Sequence, residues 1–383
     1  MVDSAVVGVV ESAIGLRCYA TMRRGPSTRA VHAGLPAAGQ GEPLLPGPVL
    51  AAPYHLRGPK DASPYGYGRD ANPTWTALER ALGELEGGEA VVFASGMAAI
   101  SAVLDVVLDA GDKLVGPGDG YPGIRVIAEQ QRAIEVELHE SRTELFVATA
   151  PAARLVWVET PANPCLQVVD IAAVAEAAHA AGALLAVDNT VATPLGQRPL
   201  DLGADIAMLS GTKTLCGHSD VLLGAVGTRD PELAAALRTR RSQAGSIPGP
   251  FEAWLAHRSL ATLGLRLERS SANALALARA LRAREDVLEV LHPADDPVAA
   301  RQMTQFGALV GFTLQSEARA QAFLDACELV AEATSFGGVH STAERRGRWH
   351  TDAVPEGFIR FSAGCEDVAD LLADVHTALD ASA

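Results

Sequence analysis

From about residue 80 the chain alternates short apolar runs with alanine-rich stretches of helical period. The runs are AVVFA (90–94), KLVGP (113–117), AIEVEL (133–138), RLVWVET (154–160), ALLAVDN (183–189), DIAMLS (205–210) and VLLGAV (221–226). Short, largely apolar runs of this kind, with helical text between them, predict a mostly parallel central sheet with helices on both faces. After residue 250 the order changes. A long helical stretch, SLATLGLRLERSSANALALARALRA (259–283), precedes ALVGFTL (308–314) and GFIRFSAG (357–364), and this predicts a smaller C-terminal α+β domain. Residues 35–64 are rich in Pro and Gly without a steady period and predict an extended arm lying over a surface. The division expected is a leader and arm over 1–64, a large domain over 65–250 and a small domain over 251–383.

Composition narrows the function classes. At 383 residues, 48% hydrophobic and 20% charged, the chain is globular and long enough for one large and one smaller domain around an extensive site. A net charge of −15 argues against a nucleic-acid or anionic-membrane partner, because both need a basic surface. Cys18, Cys165, Cys216, Cys327 and Cys365 are odd in number, scattered and without metal-ligand spacing, which suits a reducing cytoplasm. Asp3 and Glu11 interrupt the apolar opening too early for a signal or membrane segment, so a non-exported leader is expected.

In an open α/β sheet, ligands bind at the carboxyl ends of the strands. Four run endings carry candidate chemistry. Ser95, Gly96 and Met97 turn from a strand into a helix, whose first N–H groups and dipole suit a phosphate. Asp188 closes a fully apolar run, either as a cap or as the partner of a buried cation. Ser210, Thr212 and Lys213 close the next run, and Asn163 follows another. Lys213 is one of only three lysines, with Lys60 and Lys113, among 31 basic residues. Arginine stays protonated, whereas a lysine amine can lose its proton and attack a carbonyl. An amine for an aldehyde, a carboxylate for a pyridine nitrogen, and hydroxyls with helix-end amides for a phosphate together fit pyridoxal phosphate, with Asn163 beside the ring's 3′ oxygen. Two other motifs compete. Gly118, Gly120 and Gly123 match a dinucleotide fingerprint, but Pro122 sits inside the turn and no ribose-binding acid follows. Ser95 with His218 and Asp220 suggests a hydrolase, but the nucleophile elbow is missing. His179 and His257 lie in helical text and read as packing or surface residues.

With these residues in place, the chain resembles the Cys/Met-metabolism family of pyridoxal-phosphate enzymes, the cystathionine γ-synthases, cystathionine γ-lyases and methionine γ-lyases. The resemblance runs through GPSTRAVHAG, YGYGRDANPTWTALE, FASGMAAI, VWVETPANP, AVDNT, SGTKTLCGHSD, RSLATLGLRLERSSANA, SFGGVHS and FIRFSAG. It implies a fold-type I transferase and makes Lys213 the residue that bonds the cofactor aldehyde. Asp188 becomes the pyridine partner and Tyr121 a catalytic residue stacked on the ring, while Gly96, Met97, Ser210 and Thr212 hold the phosphate. Tyr67 and Arg69 would reach the phosphate of a neighbouring subunit, in a homotetramer built from dimers that share active sites. Arg360 would grip the α-carboxylate of an amino-acid substrate, with Ser335 and Asn163 beside it. The activity implied is γ-elimination from a sulfur amino acid, or γ-replacement on an O-acyl-homoserine. The chain departs from the family at the distal end of that site. Thr334 stands where cystathionine-handling members carry an acid, and Gly123, Arg241 and Ser242 replace the Cys and Lys-Asp of many methionine γ-lyases. His340 and RRGRWH (345–350) are further departures.

Overall fold

The computed structural model describes residues 24–59, 61–131 and 133–383. Residues 1–23, with the expected leader and Cys18, lie outside them. The seven apolar runs form seven strands, β1 (Glu89–Phe93), β2 (Lys113–Pro117), β3 (Glu135–His139), β4 (Leu155–Glu159), β5 (Leu184–Asp188), β6 (Ile206–Ser210) and β7 (Gly224–Thr228). They make one sheet in the order β1-β7-β6-β5-β4-β2-β3. β7 is antiparallel to both of its neighbours, and β6, β5, β4, β2 and β3 pair in parallel. The mostly parallel sheet read from the sequence is therefore the one the chain adopts.

Fully apolar strands need cover on both faces, and separate cores supply it. On one side Trp75, Leu78 and Leu82 of the helix Pro73–Glu86 pack with Leu209, Leu223 and Leu260. Another core joins Phe93, Trp157 and Met208 to Ile100 and Leu104 of the helix Gly96–Val107. A third gathers Val156, Val158 and Leu185 around Phe146 and Val174. The crossover helices start where side chains satisfy their free N–H groups: Ser95 accepts from Ala98, and Asp170 from Ala173.

The C-terminal part carries a second sheet, β10-β11-β12-β9-β8, from β8 (Glu289–Leu291), β9 (Leu309–Thr313), β10 (Ala331–Glu332), β11 (Thr342–Arg345) and β12 (Phe358–Ser362). Its core holds Phe312, Phe323, Phe361 and Leu371. The helix Leu263–Arg282 contributes Leu263 and Leu267 to the first core and Leu277 and Leu281 to this one, so it joins the two sheets. The arm runs across the outside. Trp254 Nε1 donates to Pro46 O and Asn72 Nδ2 to Val49 O, while Leu44, Leu50 and Leu56 remain exposed. Among the described residues no helix is long and apolar enough to cross a membrane.

Candidate active site

The chain leaves β2 towards one edge of the sheet through β3 and returns as β4 on the other side of β2, which opens a crevice at the carboxyl ends of β2 and β4. The loops after these strands meet there. Glu159, the last residue of β4, accepts from Tyr121 N at 2.5 Å and from Asn163 N at 2.8 Å, so one carboxylate holds both loops. Asp188 lies beside it in register on β5 and accepts from Thr190 N at 2.9 Å. Both acids are buried, and no arginine or lysine forms an ion pair with either among the described residues. Burial pushes the Glu159 pKa up, reinforced by the nearby Asp188, while the two N–H donors oppose the shift. Burial likewise raises Asp188, against the pull of Thr190 and the more distant Lys213.

β6 delivers Ser210, Thr212 and Lys213 beside the N-terminus of the helix Gly96–Val107. A Cβ on Gly96 would stand 2.9 Å from Ser210 Cβ, so only glycine lets the helix start this close to the strand end. The N–H groups of Gly96 and Met97 have no acceptor within the helix. The Thr212 hydroxyl is shared with the backbone of Leu223, accepting from its N–H at 3.1 Å. Tyr121 lies against Met97 around Gly123, where an added Cβ would meet both side chains. Burial raises the Tyr121 pKa, with Asp188 and Glu159 adding to the effect, so its phenol keeps its proton at neutral pH.

The Lys213 amine donates to Ser335 Oγ at 2.7 Å and lies 5.1 Å from the centre of the Phe336 ring. Burial first, then Arg360 and Arg346, lower its pKa to about 8. Ser335 and Phe336 come from the second sheet's side of the molecule. Gly337 presses their loop onto the lysine turn: it has φ +80°, and a Cβ would stand 2.3 Å from Thr214 Oγ1. Ser335 itself adopts φ +75°, a left-handed conformation that a non-glycine residue holds only where its surroundings impose it. Arg360 on β12 donates to Asn163 Oδ1, Ser335 O and Glu344 Oε2, at 2.8, 2.8 and 2.9 Å. Lys213, Ser335, Arg360 and Asn163 thus form one connected group. A cleft of about 450 Å3 opens beside it, lined by Thr212, Asp220, Leu222, Thr334, Ser335 and His340.

Tyr67 and Arg69 are not part of this group. Arg69 donates to Ser242 O at 3.2 Å and lies over the half-exposed Tyr67 ring. Arg241 is buried, paired with Glu79 and set over the Trp75 ring. The competing hydrolase motif does not assemble: Ser95 caps its helix, and His218 Nδ1 bonds Cys216 O at 2.7 Å. His179 pairs with Asp205 at the surface, and His257 bonds Ala33 O in the interior.

The residues present fit pyridoxal phosphate. A buried carboxylate with no cationic partner suits a protonated pyridine nitrogen, free helix-start N–H groups beside Ser210 suit a phosphate, and an amine of lowered pKa suits an aldehyde. Sequence reasoning missed Glu159, although it ends its run as Asp188 does, one strand away. It also missed Glu344, which in sequence is a charged residue ahead of two arginines and reads as a surface acid.

The chain matches the model of the Cys/Met metabolism PLP-dependent enzyme family over residues 27–380. It is 56% identical over 368 residues to a Streptomyces coelicolor protein provisionally named cystathionine gamma-lyase, covering 93% of this chain and 94% of that one. It is 39% identical over 377 residues to a Mycobacterium bovis cystathionine gamma-synthase, covering 93% and 97%. The crystal structure of a methionine gamma lyase from Micromonospora echinospora superposes with a TM-score of 0.88 at 38% identity, covering 93% and 99%. The chain belongs to the Cys/Met metabolism family of pyridoxal-phosphate-dependent enzymes.

Proposed function

We propose that the protein catalyses γ-elimination on a sulfur amino acid, methionine or cystathionine, consuming one water and releasing a thiol, a 2-oxo acid and ammonia. The observation that carries this reading is the Lys213 amine, 2.7 Å from Ser335 Oγ with a pKa near 8, beside a cleft that can take a substrate side chain. Bound at Lys213, the cofactor supplies an electron sink next to the substrate nitrogen. Asp188 would hold its pyridine nitrogen, Tyr121 its ring, and Gly96, Met97, Ser210 and Thr212 its phosphate.

The chain's own groups do the rest. Arg360 binds the α-carboxylate, with Asn163 and Ser335 fixing its direction. Once the substrate amine has taken its place on the cofactor, Lys213 Nζ is free to take the Cα proton and, after handing that proton on, the Cβ proton. The Tyr121 hydroxyl, protonated at neutral pH, donates to the departing sulfur. The identity to the provisionally named cystathionine gamma-lyase and the likeness to the methionine gamma lyase support elimination. The gamma-synthase relative supports a second reading, replacement on an O-acyl-homoserine by cysteine. Product analysis with methionine, cystathionine and O-acyl-homoserine, with and without cysteine, separates them. A 2-oxo acid from the first two supports elimination, whereas cystathionine formed from O-acyl-homoserine and cysteine, without 2-oxo acid from the others, overturns it.

We assign the working form to a cytoplasmic homotetramer built from dimers, in which Tyr67 and Arg69 complete the neighbouring subunit's phosphate site. The separation of these residues from Lys213 and the exposed arm leucines support this. Mixing inactive Arg69→Ala with inactive Lys213→Ala subunits restores activity on this reading. No recovery after proven subunit exchange contradicts it.

A further inference from the structure

Behind Arg360 lies a closed network of charge. Glu344, opposite Arg360 in register on β11, accepts from Arg360 Nη2 and from Arg346 Nη1 on the same oxygen, each at 2.9 Å. Its other oxygen accepts from Trp349 Nε1 at 2.6 Å. Arg346 in turn donates through Nε to Asp352 Oδ2 at 2.7 Å, with Nη2 ion-paired to the same oxygen at 2.6 Å. The Glu344 and Asp352 side chains are 2% and 1% exposed, so two cations and two acids are balanced almost out of contact with water. Breaking such a pair costs more than forming it gains, which makes the network stiff rather than strongly stabilising. Arg346, Trp349 and Asp352 lie in or just after RRGRWH, one of the segments that depart from the family pattern.

We propose that Glu344, clamped by Arg346 and Trp349 and braced through Arg346 by Asp352, is a positioning residue that holds the Arg360 guanidinium in the direction required by the substrate carboxylate. This rests on the reading of Arg360 as the carboxylate site. Two physical effects oppose each other here. Removing the Glu344 charge makes the surroundings of Arg360 more positive, which by itself strengthens anion binding. Removing it also frees the guanidinium to turn, which weakens two-point binding of a carboxylate. The proposal states that orientation outweighs charge.

The test uses the holoenzyme and two unreactive probes, L-norleucine and pentylamine, the second being the first without its carboxylate, with dissociation constants from calorimetry. Glu344→Gln, which keeps the side chain's shape, is expected to weaken L-norleucine about tenfold and leave pentylamine within about twofold. Tighter or unchanged norleucine binding overturns the proposal, and so does equal weakening of both probes. Should Glu344→Gln fail to fold, Asp352→Asn, one step further from the site, is read in the same way. Arg360→Lys separates the two levels. If it leaves norleucine binding unchanged, the carboxylate reading fails. If it weakens binding while Glu344→Gln does not, only the positioning role fails.

Discussion

Two pairs of buried acids sit on opposite sides of the site, and they are wired differently. Glu344 and Asp352, in β11 and the segment after it, are fully paired with Arg360 and Arg346. Glu159 and Asp188, on the large sheet, have only neutral donors among the described residues and carry raised pKa values. The first pair is complete within the chain. The second has no cation paired with it among the described residues, and on the proposed reading the cofactor's pyridine nitrogen would bring that charge, whereas the first pair is a preformed scaffold.

The largest expected effect comes from removing the amine between the two regions. Lys213→Ala should lower kcat by about a thousandfold or more, since on the proposed reading it removes both the attachment point and the proton carrier. Loss of the bound cofactor's long-wavelength absorption reports the first role. Asp188→Asn and Asp352→Asn then break the comparison from each side. The former should cost about a hundredfold in kcat through lost charge stabilisation. The latter should leave Arg346 buried and underpaired and lower unfolding stability by about 3 kcal/mol, measured by denaturant titration.

Smaller effects follow at the distal end and in the pH response. Thr334 lines the cleft without a charge, so an ammonium there has no partner at this position. Thr334→Glu should raise the kcat/KM preference for cystathionine over methionine by about tenfold to a hundredfold. A strong wild-type preference for cystathionine that the substitution leaves unchanged would assign distal recognition elsewhere. The smallest effect is on the apoprotein. Glu159 and Asp188 hold protons more tightly folded than unfolded, so their contribution is present below the unfolded carboxylate pKa, about 4, and is lost as pH rises through the raised folded values. The wild-type apoprotein should therefore lose Tm more steeply than Asp188→Asn as pH rises above the unfolded carboxylate pKa.

The large sheet was legible because each strand announces itself: seven apolar runs became seven strands, and Asp188, Asn163 and Lys213 followed their endings. Strand order was not legible. Nothing in VLLGAV says that β7 runs against its neighbours. Nor does anything in VWVET say that Glu159 lies in register with Asp188, because pairing is a long-range property. The small sheet was harder. β8, β10 and β11 are short or charged, and Glu344 looks like a surface acid until β11 pairs with β12 and sets it opposite Arg360. Tyr67 and Arg69 were found only through the family resemblance; within the chain Arg69 bonds Ser242 O and lies over the Tyr67 ring.

The contrast between the two acid pairs is tested most directly by thermal unfolding of apoprotein and pyridoxal-phosphate-loaded protein for wild type, Asp188→Asn and Asp352→Asn. Apo Asp188→Asn should melt no lower than wild type and gain much less on cofactor addition. Apo Asp352→Asn should melt lower and gain as much as wild type does. A full cofactor-induced gain in Asp188→Asn, together with a reduced one in Asp352→Asn, would contradict the account.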